Sequence, residues 1–405
     1  MKACWKTVKL GEVCSFERGL TYSKSDEAEA PGITVLRANN VDLDSGRLNL
    51  DDLRYISAKV AVDEKKYLSA NSIIVCTASG SRDHLGKTAH ISKPPRMTFG
   101  GFMGLLKPSP EIDSLFLFYL TRSDLYRSFI AGLSSGTNIN NLKGSDLLSW
   151  EIPLPPLAEQ KRIVAMLDEA FAGIDEATAK AEANIRDAEI LFESYLQSVF
   201  HDQEQGWEQK RLGDLVTRLT NGYVGPTRNI YQESGVPYLL ARHVKNNRLN
   251  FDGRTFISQE FNLKNKKSLL KTGDVLLVQS GHIGHCAVVT DEHDGHNCHA
   301  MIVITATKGS FIGPFLSLFF NSSGMKRKFE QIRSGSTVPH LTCGEIRELM
   351  IPLPTIEIQK DIVERAKVLD EYILQLRSNL ANRLSAYDEF KRSLLIQAFA
   401  GELTA

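Results

Sequence analysis

The sequence repeats once with a period close to 200 residues, and this repeat limits the folds open to the 405-residue chain. Trp5 recurs as Trp207, and Ile-Pro-Leu-Pro at 152–155 recurs at 351–354. Matching positions differ by 199 to 203 residues throughout, so the two copies align along their whole length with few insertions or deletions. Solenoid repeats are much shorter, roughly 20–50 residues. The pattern therefore predicts two copies of one domain, each followed by its own linking element.

The first part of each copy, about 150 residues, has the pattern of a mixed domain with short strands. Apolar runs such as 73–76 and 301–304 are separated by clusters of Gly, Asn, Asp and Ser, which is typical of strands and turns. Helices are predicted at 114–125 and 313–320. We therefore expect the α+β fold class for each copy.

The segment after each Pro-rich element has the periodicity of a long helix. Between about 156 and 202, and again between about 355 and 400, apolar residues are spaced alternately four and three apart. This 3.5-residue period is the signature of a coiled coil, so the two helices are predicted to pack on each other. The prolines are expected to stop any strand and to occupy the first helical turn. The alternative is that each helix covers only its own domain. The predicted interface residues are Leu167, Phe171, Ile174, Ile185, Phe192, Leu369, Ile373, Leu376, Leu380 and Tyr387.

Formal charge is distributed unevenly, although Lys+Arg and Asp+Glu are equal at 48 each. Residues 1–153 carry a net charge of +2 and residues 206–353 carry +6. The helical stretches are acidic, with −7 in 154–205 and −1 in 354–405. A domain with excess positive charge can face phosphates, whereas an acidic helix is better suited to a protein partner. The neutral total therefore does not exclude a DNA-binding protein.

Composition excludes several other classes of protein. At 42% hydrophobic and 24% charged residues, the chain is typical of a globular protein rather than a disordered or collagen-like one. Its longest dense apolar run, 315–320, is far shorter than the ~20 residues that a membrane span requires. The first residues lack the apolar core of a secretory signal. The six cysteines are scattered without a CxxC pair, as expected of reduced thiols in a cytoplasmic protein.

Two segments come close to catalytic or metal-binding motifs without completing them. Residues 79–88, SGSRDHLGKT, approach a phosphate-binding loop, but position 81, where the motif requires glycine, is serine. The corresponding segment of the second copy has neither Lys nor Thr. Five histidines and two cysteines fall between 282 and 299 and could ligate zinc, although their spacing fits no standard structural site. Nucleotide or zinc chemistry stays an alternative, which bound nucleotide or metal in the purified chain would reveal.

The element that starts each long helix carries a family resemblance. Residues 152–164, Ile-Pro-Leu-Pro-Pro-Leu-Ala-Glu-Gln-Lys-Arg-Ile-Val, resemble the segment that opens a helical spacer in type I restriction-modification specificity subunits. Residues 351–363 resemble the same segment, and residues 393–403 are similar to the usual C-terminus of that family. The resemblance extends over essentially the whole chain, in the order of the family.

The resemblance implies a fold and a role for each part of the chain. Two target-recognition domains, 1–152 and 206–351, would be separated by helical spacers at 153–205 and 352–405. The spacers would form an antiparallel coiled coil within a pseudo-twofold internal repeat. Each recognition domain would bind one half of a bipartite site in double-stranded DNA, and the helices would act as a ruler between the halves. This chain would have no catalytic residues, no metal and no cofactor of its own.

The same resemblance implies partner subunits that carry out the chemistry. Two methyltransferase subunits would bind this chain, extrude the target adenine from each half-site and methylate N6 with S-adenosylmethionine. Restriction subunits that translocate DNA with ATP and magnesium would complete the nuclease. Two alternatives stay open. One is the specificity subunit of a modification-only or other multi-subunit methyltransferase system, and the other is a coiled-coil scaffold that does not bind DNA.

Candidate DNA-contacting residues lie in loops that the two copies share. Arg and Lys side chains favour guanine in direct readout, whereas Asn and Gln favour adenine. Matched positions carry different side chains, so an asymmetric target is predicted. The candidates are Arg37, Asn39, Asn40, Arg82, Lys87, Asn138 and Asn140 in the first copy and Arg242, His243, Lys245, His282, Ser336, Thr337 and His340 in the second.

Overall fold

The chain forms two compact units, each of which contains one copy of the strand-rich domain and a portion of each long helix. The computed structural model describes residues 5–43, 45–80, 84–134, 141–201, 206–245, 247–332 and 340–403. The units, called unit 1 and unit 2 below, are Met1–Ala179 with Ala381–Ala405 and Lys180–Leu380, respectively.

Unit 1 has short strands and short helices, followed by a long helix whose second half belongs to unit 2. The strands are β1 (Lys6–Lys9), β2 (Cys14–Arg18), β3 (Glu27–Ala28), β4 (Ile33–Leu36), β5 (Arg54–Ile56), β6 (Ser72–Cys76), β7 (Thr88–Ile91), β8 (Thr98–Phe99), β9 (Met103–Pro108) and β10 (Glu151–Leu154). The helices are α1 (Leu10–Val13), α2 (Ser114–Leu120), α3 (Asp124–Ser134), α4 (Gly144–Leu148) and α5 (Leu157–His201).

Unit 2 repeats this order, and its long helix ends in unit 1. The strands are β11 (Glu208–Arg211), β12 (Val216–Asn221), β13 (Tyr231–Gln232), β14 (Val236–Leu239), β15 (Val244–Lys245), β16 (Arg248–Leu249), β17 (Phe256–Ile257), β18 (Val275–Val278), β19 (Cys286–Val288), β20 (Asn297–Cys298), β21 (Met301–Ala306) and β22 (Met350–Leu353). The helices are α6 (Gln259–Lys264), α7 (Gly313–Asn321), α8 (Ser323–Ile332), α9 (Cys343–Arg347) and α10 (Ile356–Phe399).

The sheet topology is the same in both units, apart from the short antiparallel pair β15-β16 in unit 2. The main sheet is antiparallel, with strand order β2-β9-β6-β7 in unit 1 and β12-β21-β18-β19 in unit 2. A smaller mixed sheet has the order β3-β5-β4-β8 in unit 1 and β13-β17-β14-β20 in unit 2. A separate antiparallel pair, β1-β10 or β11-β22, completes each unit. The internal repeat and the α+β fold class are therefore confirmed.

The inner strands β6 of unit 1 and β18 of unit 2 are buried on both faces of the main sheet, which explains their continuous apolar sequences. Alternate residues of a strand point to opposite faces. In unit 1, Ile73 and Val75 pack into one core with Phe116 of α2, whereas Ile74 packs into a second core with Leu36 of the smaller sheet. Unit 2 has the same two cores on either side of β18.

The Pro-rich elements form strands before the helices start. The expectation that proline would stop the strand was wrong, because Pro153 lies inside β10 opposite Thr7, and Pro352 lies inside β22. A two-stranded sheet accommodates proline because an edge strand needs no N–H donor on its outer side. The helices α5 and α10 follow within three residues of these strands, as the periodicity predicts.

The helix predicted at 114–125 is two helices, α2 and α3, with a turn between them. Thr121 and Ser123 each donate a side-chain hydrogen bond of 2.7 Å to a main-chain carbonyl three residues back. Such local bonds compete with the helical pattern and favour its interruption. The helix predicted at 313–320 is confirmed by α7.

In unit 1, the beginning of α5 packs against the end of α10. Leu167 of α5 and Phe399 of α10 belong to one apolar core. The ammonium of Lys391 on α10 lies 3.6 Å from the carboxylate of Asp175 on α5 and 5.7 Å from the ring centre of Phe171. The two helices therefore share the core of this unit rather than lying on separate domains.

In unit 2, the end of α5 packs against the beginning of α10. Glu189 forms an ion pair with Arg377, and the Tyr195 hydroxyl donates to the Ile362 carbonyl at 3.1 Å. Because the partners move backwards along α10 as the chain moves forwards along α5, the helices are antiparallel. The predicted antiparallel pairing of the long helices is confirmed. None of the helices in the described ranges is long and apolar enough to cross a membrane.

Candidate nucleic-acid interface

One end of each main sheet is attached to the start of a long helix. In unit 1, the fully buried side chain of Gln160 accepts from the Asp113 N–H at 2.7 Å. Its amide nitrogen donates to the carbonyls of Glu111 and Pro155 at 3.1 and 2.8 Å. Gln359 makes the corresponding three bonds in unit 2. This glutamine fixes the helix to the turn that precedes α2 or α7.

The opposite end of the sheet, which we call the hairpin edge, carries a hairpin turn. The turn connects β6 to β7 in unit 1, where residues 77–80 and 84–87 are described, and β18 to β19 in unit 2, at residues 279–285. The chain comes back to this edge after α3 and after α8. The Leu142 N–H donates to the Thr77 carbonyl at 2.6 Å, and the equivalent bond from Leu341 measures 2.9 Å. The turn and the returning segment therefore lie side by side in each unit.

A loop that opens with a 3-10 turn lies beside the hairpin edge, and we call it the recognition loop (37–52 and 240–255). In unit 1, buried Asn40 accepts from the Arg37 N–H at 2.9 Å and donates to two loop carbonyls at 2.8 and 3.0 Å. The prediction that Asn40 contacts a base conflicts with this burial, because its amide already braces the loop. Arg37 and exposed Asn39 both bind the Asp52 carboxylate, at 3.1 and 2.9 Å, and remain candidates.

The recognition loop of unit 2 uses a histidine where unit 1 has Asn40. Buried His243 accepts from the Leu240 N–H through Nδ1 and donates to Asp252 through Nε2, each at 3.1 Å. Burial lowers the pKa of His243, so the ring is neutral near pH 7 and also acts as an internal brace. Half-exposed Arg242 donates to Asp252 at 3.1 Å and, mainly through this bond, lowers the pKa of that carboxyl to about 2.

Lys87 and His285 occupy the same position in the two hairpins. The carbonyl of each accepts from the backbone N–H at the end of the preceding strand, at 2.9 and 2.8 Å. The Lys87 ammonium donates to the Val41 carbonyl at 2.7 Å and is almost inaccessible, and the His285 ring hydrogen-bonds the backbone of Val244. Lys87 therefore ties the hairpin to the recognition loop, and its role as a DNA contact stays a prediction.

The remaining described candidates are exposed in unit 2. Lys245 lies on the recognition loop, and His282 lies in the hairpin with its ring centre 5.4 Å from that of His285. His340 is exposed on the returning segment, where it bridges to Ser280. The structure thus brings His282 and His340 to one edge. The candidates Arg82, Asn138, Asn140, Ser336 and Thr337 lie outside the described residues.

Each recognition loop is also tied to a long helix of its own unit. In unit 1, Arg47 donates to Asp175 of α5 at 2.9 Å. In unit 2, Arg248 forms an ion pair with Asp370 of α10. Exposed ion pairs are worth little individually, typically below ~1 kcal/mol. Their occurrence in both units nevertheless fixes which side of the loop faces the helix.

The predicted coiled-coil positions all lie away from solvent, in line with an apolar seam. Each is buried or partly buried, whereas most intervening positions of the two helices are exposed. The buried positions are Leu167, Ile174 and Ile373, and the partly buried ones are Phe171, Ile185, Phe192, Leu369, Leu376, Leu380 and Tyr387.

The His- and Cys-rich segment does not gather around one point. Cys286 and Cys298 are fully buried in two different apolar cores, and burial raises the pKa of both thiols to about 12. Within the described ranges, no three His, Cys, Asp or Glu side chains are grouped so as to hold a metal ion. The two cysteines therefore contribute to the packing of the cores.

Sequence reasoning missed the roles of Gln160, Gln359 and His285. The two glutamines were visible as a repeated Gln-Lys pair at an offset of 199, which is a signal for a shared structural role. His285 had no such signal, because its counterpart is a lysine and only the hairpin register aligns them. Chemically, the hairpin edge offers exposed hydrogen-bond donors on rigid turns and has no described nucleophile–base pair.

Duplicated mixed domains with polar and cationic loops, joined to paired helices, define a tandem recognition protein rather than an enzyme. The family described as type I restriction modification DNA specificity domain matches the chain twice, at residues 3–185 and 204–386, and the chain belongs to that family. It is a specificity subunit of a type I restriction-modification system, which is the non-catalytic component that recognises DNA sequence through two tandem domains.

Curated relatives match over nearly the whole chain. The EcoKI specificity subunit of Escherichia coli K12 is 28% identical, covering 99% of this chain and 89% of its own length. The StySPI specificity subunit of Salmonella potsdam is 27% identical with the same coverage.

Solved structures support the fold. A chain from a structural study of the assembly and conformational transition of the type I R-M system superposes with a TM-score of 0.73, at 20% identity and 98% coverage of both chains. The HsdS subunit of Thermoanaerobacter tengcongensis gives a TM-score of 0.59, at 20% identity, and covers 98% of this chain and 97% of its own.

Proposed function

We propose that each unit recognises one half of an asymmetric bipartite DNA site. The observation that supports this proposal is that two units of the same topology present different side chains at equivalent positions. Asn39 on the surface of one recognition loop corresponds to Arg242 on the other, and the hairpin residues differ in the same way. Asn favours adenine and Arg favours guanine, so the half-sites differ in sequence. In this proposal the recognition domains are residues 1–152 and 206–351.

The paired helices, residues 153–205 and 352–405, set the gap between the half-sites in this proposal. Their apolar seam keeps them side by side, and a helix maintains a fixed rise of 1.5 Å per residue. The acidic charge of residues 154–205, net −7, disfavours direct contact with DNA phosphates. The helices therefore suit the role of a spacer between two DNA-binding units.

Two methyltransferase subunits, which carry S-adenosylmethionine, bind this chain in our proposal and modify one adenine in each half-site. Exposed apolar side chains on the helices within unit 2 support such a protein partner. Ile190 and Leu191 on α5 and Val368 and Tyr372 on α10 are between 54% and 63% exposed. Restriction subunits that use ATP and magnesium complete the complex, which acts in the cytoplasm on double-stranded DNA.

The test is methylome sequencing of a host that expresses this chain with its methyltransferase subunits. The expected result is N6-methyladenine in one bipartite motif with two different halves and a fixed gap. Exchange of residues 206–351 for another recognition domain should replace one half of the motif and leave the other unchanged. A motif that survives this exchange intact would mean that the chain is a scaffold and does not determine sequence.

A further inference from the structure

Phe102 is the most exposed large apolar side chain among the described residues, at 70%. It lies in the turn between β8 and β9, at the hairpin edge of unit 1. Burial of an exposed phenylalanine ring is favourable, because it removes apolar surface from water. The fold of unit 1 does not use this ring for its own packing, although seven other phenylalanines of the unit, among them Phe99 and Phe116, are buried or packed against its cores.

The backbone of Phe102 is held firmly even though its ring is exposed. Its carbonyl accepts from the N–H groups of Thr77 and Ala78, at 2.9 and 3.2 Å, at the start of the hairpin turn. The preceding carbonyl, of Gly101, accepts from the exposed Arg18 guanidinium at 3.5 Å. Ala78 also bridges to Asn141 of the returning segment. The backbone of Phe102 therefore places the exposed ring next to the hairpin, the returning segment and a cationic side chain.

Unit 2 has no residue equivalent to Phe102. Equivalent main-chain hydrogen bonds align Phe99 with Cys298. The Phe99 carbonyl accepts from the Leu20 N–H at 2.7 Å, and the Cys298 carbonyl accepts from the Tyr223 N–H at 2.9 Å. The next aligned pair is Met103 and Met301, whose carbonyls accept from the equivalent glycines at 3.0 and 2.7 Å. Three residues lie between the aligned positions in unit 1 and two in unit 2. The extra residue places an aromatic ring at one hairpin edge alone, so it is not required by the shared fold.

We propose that Phe102 makes an apolar contact with base pairs of the half-site recognised by unit 1. This inference rests on the proposed function and adds a specificity-determining residue to it. Phenylalanine contacts the methyl group of thymine or the faces of partly unstacked bases in other DNA-binding proteins. Arg18 beside it supplies a phosphate contact, and the rigid turn lowers the entropic cost of placing the ring. The occupant of this surface is therefore duplex DNA.

The test uses the assembled complex of this chain with its methyltransferase subunits, with Phe102→Ala and Phe102→Leu variants. Phe102→Ala should lower the discrimination between correct and incorrect bases by about tenfold or more, at one or two adjacent base pairs of one half-site. This range is expected because loss of one specific base contact costs ~1–3 kcal/mol. The other half-site should be unchanged. Phe102→Leu should retain part of the discrimination, because it keeps an apolar side chain.

Leu125→Ala is the matched control, since Leu125 is a half-exposed apolar residue of the same unit. It lies on α3 next to Asp124, whose carboxylate accepts from Arg392 of α10 at 2.8 Å. The control should leave both half-sites unchanged.

Two results would overturn the inference. The first is unaltered base discrimination in Phe102→Ala. The second is loss of subunit assembly with unaltered discrimination, which would assign the ring to a protein partner. Failure of the proposed function is recognised separately, because in that case the unsubstituted complex would show no bipartite motif.

Discussion

Lys87 illustrates how a cationic side chain beside a predicted DNA-binding loop can contribute to the fold. Lys87→Met keeps the side-chain volume but leaves the Val41 carbonyl without its buried donor. An unsatisfied buried group costs about 1–3 kcal/mol, and we expect the free energy of unfolding of unit 1 to fall by that amount. Urea denaturation measures it. The salt dependence of DNA binding should keep its slope, because no phosphate contact is lost.

Lys245→Met is the matched comparison on the other recognition loop, where the lysine is exposed. Stability should change by less than ~0.5 kcal/mol. If Lys245 contacts a phosphate, the slope of log affinity against log salt should become shallower by about 1. A shallower slope in Lys87→Met instead would assign that lysine to the DNA after all.

Histidine burial makes the stability of unit 2 more sensitive to acid than that of unit 1. Burial lowers the pKa of His243, His285, His296 and His299 in unit 2, and that of His90 in unit 1. As pH falls below the ordinary histidine pKa of about 6.5, these histidines bind protons in the unfolded chain but stay neutral in the folded one. Stability present above that pH is therefore lost on acidification.

The variant His243→Asn, which copies the residue of unit 1, tests this pH dependence. We expect the loss of stability between pH 7.5 and pH 5.5 to become smaller, because one proton-binding group of the unfolded state is removed. Hydrogen exchange of unit 2 amides at the two pH values provides the measurement, and unit 1 amides serve as the internal reference. An unchanged difference between the pH values would mean that the pKa of His243 is the same in the folded and unfolded states.

At the residue scale, sequence singled out loops that the two units share but could not separate supporting side chains from exposed ones. Asn40, His243 and Lys87 have the chemistry of base-contacting residues, and their burial depends on loop closure by Asp52, Asp252 and Val41. Such closure is a tertiary property. Sequence also gave no reason to select Phe102, because an isolated phenylalanine is usually part of a core.

At the scale of elements, the long helices were predictable because their 3.5-residue period is local information. The strand formed by the Pro-rich element was less predictable from sequence. Its strand pairs with residues 6–9, almost 150 positions earlier, and local sequence shows no such partner. The buried glutamine that follows it was likewise visible only as a repeated letter.

Gln160→Ala and Gln359→Ala test the attachment of each helix to its sheet. Each change removes three hydrogen bonds of a fully buried amide, so we expect at least about 2 kcal/mol of lost stability in the affected unit. Because the two sites share no partners, the effects should add in the double variant. Calorimetry of the single and double variants measures both.

Lys161→Ala, one position along and exposed, provides the control and should change stability by less than ~0.5 kcal/mol. A loss in Gln160→Ala no greater than in this control would contradict the attachment role.

At the scale of the whole molecule, the repeat predicted the architecture because duplication copies every element in order. Charge distribution added the contrast between cationic domains and acidic helices. The bases recognised by each unit lie beyond such arguments, since they depend on the exact direction of a few exposed side chains.

Removal of one heptad from α5 and of the facing heptad from α10 tests the ruler. Seven residues are about two turns, so the apolar seam is retained, and each helix shortens by about 10 Å. We expect the gap in the methylated motif to decrease by up to about 3 base pairs at 3.4 Å per pair, with the same bases in each half. Methylome sequencing reports both quantities.

Insertion of a heptad should lengthen the gap instead. Removal of three residues should abolish assembly, because it rotates the seam away from its partner. A constant gap in both the deletion and insertion variants would show that the helices do not set the distance.

The core of unit 1 includes the end of α10, where Leu395, Ala398 and Phe399 are buried and Phe399 meets Phe116 edge to face at 5.4 Å. During translation these residues emerge after every part of unit 2 has been made. The half of the protein encoded first is therefore the half that matures last. A truncation before Leu395 would accordingly remove core residues of unit 1 while leaving every residue of unit 2 in place.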